Sequence, residues 1–125
     1  TQTIVRIWVD AGASPKAVKE ILYRASERTK IPVTFVANQF LEVPRSPLIF
    51  AVKVASGFDV ADNYIVEHSN KGDIAITQDI PLAAELVAKG CVVLQCFLGN
   101  VSLFVTLSYL LEVLLYFLCL YNLLD

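Results

Sequence analysis

The chain has 125 residues, enough for one core of ordinary size, with 56% hydrophobic and 18% charged residues and a net charge of −2. A strong sequence-independent grip on nucleic acid needs a cationic surface, so that class is excluded; an enzyme that meets nucleic acid through bound cations is not. All ten Lys and Arg fall within residues 1–90 together with ten of the twelve acids, which leaves only Glu112 and Asp125 charged beyond them.

Residues 4–9, IVRIWV, are β-branched and aromatic and predict a strand that ends at Asp10. A strand in this position argues against an N-terminal signal peptide. Residues 15–30 predict an amphipathic helix, with Ala17, Val18, Ile21, Leu22 and Ala25 on one face and Lys16, Lys19, Glu20, Arg24, Glu27 and Arg28 on the other. Ser14 and Pro15 suit its N-cap and first position. Ile31-Pro32 ends that helix and residues 33–37 predict a second strand, so the opening third of the chain is a βαβ unit with parallel pairing.

Residues 38–47 form a loop, and the apolar residues 48–54 predict a short strand. Residues 60–68 have helical spacing, with Asp59 near the N-terminus and Asp62 in the first turn, where acids suit the helix dipole. Lys71-Gly72-Asp73 predicts a turn, residues 74–77 a buried strand, residues 81–89 a helix closed by Gly90, and residues 92–94 a last strand. The alternation defines an α/β layer fold with a mostly parallel sheet.

Several chemistries have no support. Three cysteines without CxxC spacing suggest reduced thiols rather than a disulfide framework or a zinc site. His68 is the only histidine and is expected to face solvent, and neither GxGxxG nor GxxxxGK[ST] occurs. The aspartates are more informative. Two strands end in an acid followed shortly by proline, at Val9-Asp10 and at Thr77-Gln78-Asp79, and Asp59 with Asp62 opens a helix between them. Strand ends of a parallel sheet share one edge, so Asp10 and Asp79 converge if their strands are neighbours. Carboxylates gathered in one cleft stay ionised only around a cation, and hard oxygen ligands suit Mg²⁺ or Mn²⁺. The alternative is that each acid is an ordinary turn former or helix N-terminal charge.

The stretches IWVDAGASPKAVKEILYRASERTKIPV, VANQFLEVPRSPLI, GFDVADNYIV and GDIAITQDIPLAAELVAKG closely resemble the bacterial YaiI/YqxD family, over residues 3–94. That family is grouped by fold with the PIN-like nuclease domains. The resemblance implies a PIN-like three-layer α/β/α domain over residues 1–94. It also implies a metal site of Asp10, Asp59, Asp62 and Asp79, with Asp10 and Asp79 as catalytic carboxylates. Ser14, Asn38 and Thr77 are implied as substrate-side neighbours. The implied function is a Mg²⁺- or Mn²⁺-dependent nuclease or phosphodiesterase acting on RNA or another nucleic acid in the cytoplasm. The alternative is a weakened metal- or nucleic-acid-binding domain without turnover. Two departures favour that alternative: the family pattern has an aspartate at the position of Gly12 and a cysteine at that of Ser14.

Residues 95–125 depart further, replacing the family's polar loop and charged helix with a Leu-rich hydrophobic tail that predicts a C-terminal helix. Residues 101–124 hold ten Leu and one charge, Glu112. As a helix they would reach about 36 Å, enough for a bilayer core of ~30 Å. A membrane anchor is one reading, but Glu112 falls at its centre, where charge is expensive. A frameshifted or otherwise divergent tail is preferred, and a helix that covers the domain or a partner is the third reading.

Overall fold

The computed structural model describes residues 5–13 and 16–94. Five strands form one sheet: β1 (Ile7–Asp10), β2 (Val33–Ala37), β3 (Ile49–Lys53), β4 (Ile74–Ile76) and β5 (Val92–Leu94). Their order across the sheet is β3-β2-β1-β4-β5. Three helices, α1 (Lys16–Thr29), α2 (Val60–His68) and α3 (Ile80–Lys89), alternate with them, and a 3-10 turn over Ala11–Ala13 follows β1. The expected three-layer α/β/α architecture holds, and the pairing is parallel at every strand, not mostly so.

Side chains alternate across a strand, so the sheet has two buried faces. On one face Ile7, Val9, Val33, Phe35, Ile74 and Ile76 pack against Val18, Ile21, Leu22 and Ala25, the apolar stripe of α1. On the other, Trp8, Val36 and Ala75 pack against Ile65 of α2 and Leu82 and Leu86 of α3. The chain therefore winds in both directions from the centre. The link from β1 to β2 runs under one face, the link from β4 to β5 over the other, and the two diverge between β1 and β4. In open parallel sheets the crevice at such a divergence, outside the carboxyl ends of the strands, is where ligands bind.

The element boundaries differ from the sequence expectation mainly at β1, which begins at Ile7 rather than residue 4 and includes Asp10. The ladder persists just before it, because Ile74 N–H donates to the Arg6 carbonyl at 2.9 Å. Cys91 is a buried free thiol whose pKa burial pushes up, as expected of an inert cysteine. Among the described residues no helix is long and apolar enough to cross a membrane. Cys96, Cys119, the Ser14-Pro15 cap and all three readings of the hydrophobic tail lie outside the described residues.

Asp73 does more than make a turn. It is only 3% exposed, immediately before β4. One carboxylate oxygen accepts from Arg6 N–H at 3.2 Å; the other accepts from the Trp8 indole N–H at 3.0 Å and Asn70 N–H at 2.9 Å. The carboxylate thus binds the amino end of β1 to the amino end of β4, and it satisfies the one donor of a buried tryptophan. Truncation would orphan three donors, two of them at the start of the central strand. Asp73→Ala is expected to lower stability by roughly 3–5 kcal/mol in urea denaturation, with Asp73→Asn intermediate. A loss below about 1 kcal/mol would contradict this role.

Candidate functional site

At the opposite end of the same two strands, the register Val9↔Ile76 brings the residues that follow side by side. Asp10, the last residue of β1, is 8% exposed. The Thr77 hydroxyl, one residue past β4, donates to Asp10 Oδ2 at 3.2 Å, and Thr77 Oγ1 itself accepts from Asp79 N–H at 3.0 Å. Thr77 therefore fixes both the Asp10 carboxylate and the path of the chain into α3. Asp79 caps that helix, its Oδ1 accepting from Leu82 N–H at 3.1 Å with Pro81 in the first turn. This much matches the bland reading of Asp79 as a helix cap.

Asp62, in the first turn of α2, also fits as a helix N-terminal charge, whereas Asp59 does not act as a cap. Asp59 holds the N-cap position of α2 yet makes no side-chain cap bond, and its backbone is left-handed at φ 62°. A non-glycine residue in that region costs on the order of 1 kcal/mol, least for Asp and Asn. Asp62 lies three residues before Ile65, on the stripe of α2 that faces the sheet, one turn nearer the carboxyl edge. Packing of Ile65 and of Tyr64 against Trp8 (ring centroids 6.4 Å apart) holds this stripe over β1. Asp62 overhangs the crevice as a result.

The electrostatics show how close the group is. Burial, then the charges of Asp79, Asp10 and Asp59, push the Asp62 carboxyl up to about 6, and a hydrogen bond between the Asp62 and Asp79 carboxyl groups adds to it. Such a bond needs one shared proton. Asp10 is also raised, by burial first and by the Asp79 charge, against the lowering effect of the Thr77 bond. Asp62 thus feels the other three aspartates singled out in the sequence, and Asp10 feels Asp79. The N-termini of the helices that follow the strands lie at this same edge, so their dipoles offset part of the repulsion.

Thr77 joins the group directly, whereas Asn38 is exposed just past β2, on the same edge but one strand removed. Ser14 lies outside the described residues. Gly12 sits in the turn after Asp10, and a Cβ there would meet nothing within 4 Å. Among the described residues no three His, Cys, Asp or Glu side chains stand ready in coordinating geometry. A cavity of about 340 Å³ on the α1 face, lined by Lys19, Glu20, Tyr23, Phe35, Leu41 and Glu42, contains none of these acids.

A doubly wound parallel α/β fold with an acidic cluster at its switch point is the class that these observations define. Residues 8–97 match the model of a family described as "Uncharacterized BCR, YaiI/YqxD family", and the chain belongs to that family. A UPF0178 protein of Klebsiella pneumoniae is 63% identical over 84 residues, 67% of this chain and 55% of that protein. One from Proteus mirabilis is 58% identical over 89 residues, 71% and 59% of the two chains. Another from Saccharophagus degradans is 58% identical over 91 residues, 73% and 60%. The chain thus matches between 55% and 60% of the length of these relatives. No solved structure matches the sequence.

The raised Asp62 value has a defined effect on stability. Between the ordinary 3.8 and about 6 the folded chain holds a proton that the unfolded chain releases. Stability attributable to this group is therefore full below pH 3.8 and lost as pH rises to about 6. Asp62→Asn is expected to raise stability at pH 7.5 by on the order of 1 kcal/mol after solvent screening, with little effect near pH 4. Urea midpoints of the two proteins across this range check it; a lower midpoint for the variant at pH 7.5 would contradict it.

Proposed function

We propose that the chain is a divalent-metal-dependent phosphodiester hydrolase of PIN-like type acting on nucleic acid, with Asp10, Asp59, Asp62 and Asp79 as its cation site. The observation that carries this reading is the gathering of acids at the ligand-binding crevice of the sheet, where burial and neighbouring carboxylates raise Asp62 and Asp10, a strain that a cation would relieve. The donor set fits Mg²⁺ or Mn²⁺, which take hard oxygens and are often held by one or two carboxylates plus water, so a preformed group of three is not required. When bound, such an ion neutralises charge on a phosphodiester and acidifies a coordinated water.

The protein's own residues do the positioning. Thr77 holds Asp10 with its Oδ2 engaged, and the α3 cap fixes one oxygen of Asp79 while its carboxyl group also meets Asp62. These groups rest on strand and helix ends, not on long loops, which suits a site that must hold ligands rigidly. Below about pH 6 a cation must displace the proton held by Asp62, so binding in that range is coupled to proton release.

A second reading, a binding domain without turnover, has one observation in its favour: Gly12 offers no carboxylate in the turn beside Asp10. The open space at its Cβ means an aspartate there costs the fold little. Gly12→Asp is expected to raise Mn²⁺ affinity several-fold.

Calorimetry of the full chain with Mn²⁺ at pH 7.5 tests the cation site. Saturable binding is expected, lost in Asp79→Asn, a change that preserves the helix cap because asparagine caps equally well. At pH 5, one unit below the Asp62 value of about 6, affinity is expected to fall about tenfold. Cleavage of labelled RNA and DNA with Mn²⁺, absent in the same variant, would support the hydrolase. No binding up to millimolar metal would overturn it.

A further inference from the structure

β3 is the outer strand of the sheet beyond β2, and among the described residues no strand pairs with its far side. The Leu48 carbonyl accepts from Val33 N–H at 2.8 Å, and Val54 N–H donates to the Ala37 carbonyl at 2.9 Å. With the register between them, these bonds turn the backbone groups of Leu48, Phe50, Val52 and Val54 toward β2. Successive residues of a strand turn to opposite sides, so those of Ile49, Ala51 and Lys53 turn outward. Ile49 N–H is already engaged by the Ser46 carbonyl at 3.3 Å. The Ile49 carbonyl and both backbone groups of Ala51 and Lys53 face the open edge. That edge lacks the usual guards: no proline or bulge interrupts residues 49–53, and their one charge, Lys53, stands at the end. Phe50 is 49% exposed on the α2 face of the sheet, and Val52 on the same face is half-buried.

We infer that β3 is a dimerisation edge, which pairs antiparallel with β3 of a second copy of this chain about a two-fold axis at Ala51. The inference stands apart from the hydrolase reading. Self-complementarity selects a second copy over a foreign strand. With the axis at Ala51, the two Ala51 residues exchange both N–H···O=C bonds, and each Lys53 N–H meets the Ile49 carbonyl of the other copy. Ile49 N–H keeps its turn bond, so none of the outward donors of Ile49, Ala51 and Lys53 is left over. Phe50 then opposes Val52 of the other copy in a non-hydrogen-bonded pair, where side chains approach most closely and aromatic and β-branched partners suit each other. The two Lys53 lie at opposite ends of the ladder. Moving the axis one residue spoils this fit in either direction. Toward Val52 it sets the two Lys53 diagonal to each other; toward Phe50 it opposes Lys53 to Pro47, which has no N–H to give. The joined sheets run antiparallel, so the two acidic clusters open on opposite edges and each stays within one chain.

Two cysteine variants of the full chain read the register, with linked peptides identified by mass spectrometry to set the native thiols aside. Ala51→Cys is expected to form a disulfide between the two introduced thiols on mild oxidation. Opposed hydrogen-bonded residues have Cα atoms about 5.5 Å apart, inside the ~4.4–6.8 Å that a disulfide spans. Lys53→Cys is expected to link at least about fivefold less, because its two copies would stand roughly 13 Å apart. Amide exchange of the unmodified chain gives an independent readout. Exchange at Ala51 and Lys53 is expected to slow several-fold between roughly 10 μM and 1 mM protein, while Phe50 and Val52, bonded to β2, stay protected throughout. Ala51→Pro removes the central outward N–H without touching a bond to β2, a change that edge strands tolerate, and is expected to abolish the dimer. Equal linking of the two cysteine variants, association that leaves Ala51 and Lys53 unprotected, or a chain that stays monomeric over this range would overturn the inference.

Discussion

The parallel pairing of β1 with β4 is the constraint on which the rest of the molecule depends. Each of these strands is short, and each is buried on both faces, so their alignment sets where every neighbouring group can stand. At their amino ends the Asp73 carboxylate ties Arg6, Trp8 and Asn70 together. At their carboxyl ends Thr77 ties Asp10 to the chain leading into α3. Two buried aspartates therefore sit at opposite ends of one strand pair with opposite roles. Asp73 is surrounded by donors and stabilises the fold. Asp10 has Asp79 and Asp62 for neighbours, a surrounding that favours its neutral form or a cation.

That contrast separates structure from candidate chemistry better than burial does. The Asp73 carboxylate accepts three N–H bonds and has no acid beside it among those partners. Carboxyls that must share a proton are held together against their own preference, at a cost to stability that the sheet and the two buried faces absorb. The left-handed Asp59 and the solvent-facing Phe58 add to this local cost. Their cluster occupies the edge where both crossover directions leave the sheet open, and the buried aliphatic core lies well behind it.

Much of the fold was legible because local signals and burial agreed. The alternation of β-branched runs with the amphipathic pattern of residues 15–30 placed α1 and β2 almost to the residue, and Gly90 marked the end of α3 through its left-handed backbone. The strand-end aspartates were legible as a set, because two repeats of strand, acid and proline imply a shared edge once the sheet is parallel. Strand order was not legible, and without it no spacing could show that Asp10 and Thr77 touch. Asp73 was missed for the same reason: in sequence it is a turn residue after Gly72, and only pairing of β1 with β4 brings Trp8 to it. A lone tryptophan in a buried strand was the one available hint, since its N–H must find an acceptor. Phe58 was passed over because an apolar residue in sequence predicts burial, and exposure at a loop tip leaves no periodic trace.

The account turns on one carboxyl group, and its titration is the measurement to make. Carbon-detected NMR of labelled aspartate side chains, followed from low to neutral pH, reports Asp62 directly. The structure predicts a midpoint near 6 without divalent cations, moving well below that value when Mg²⁺ saturates the site, because the ion replaces the shared proton. A midpoint near the ordinary 3.8, unmoved by Mg²⁺, would contradict the claim that these carboxylates form a cation site.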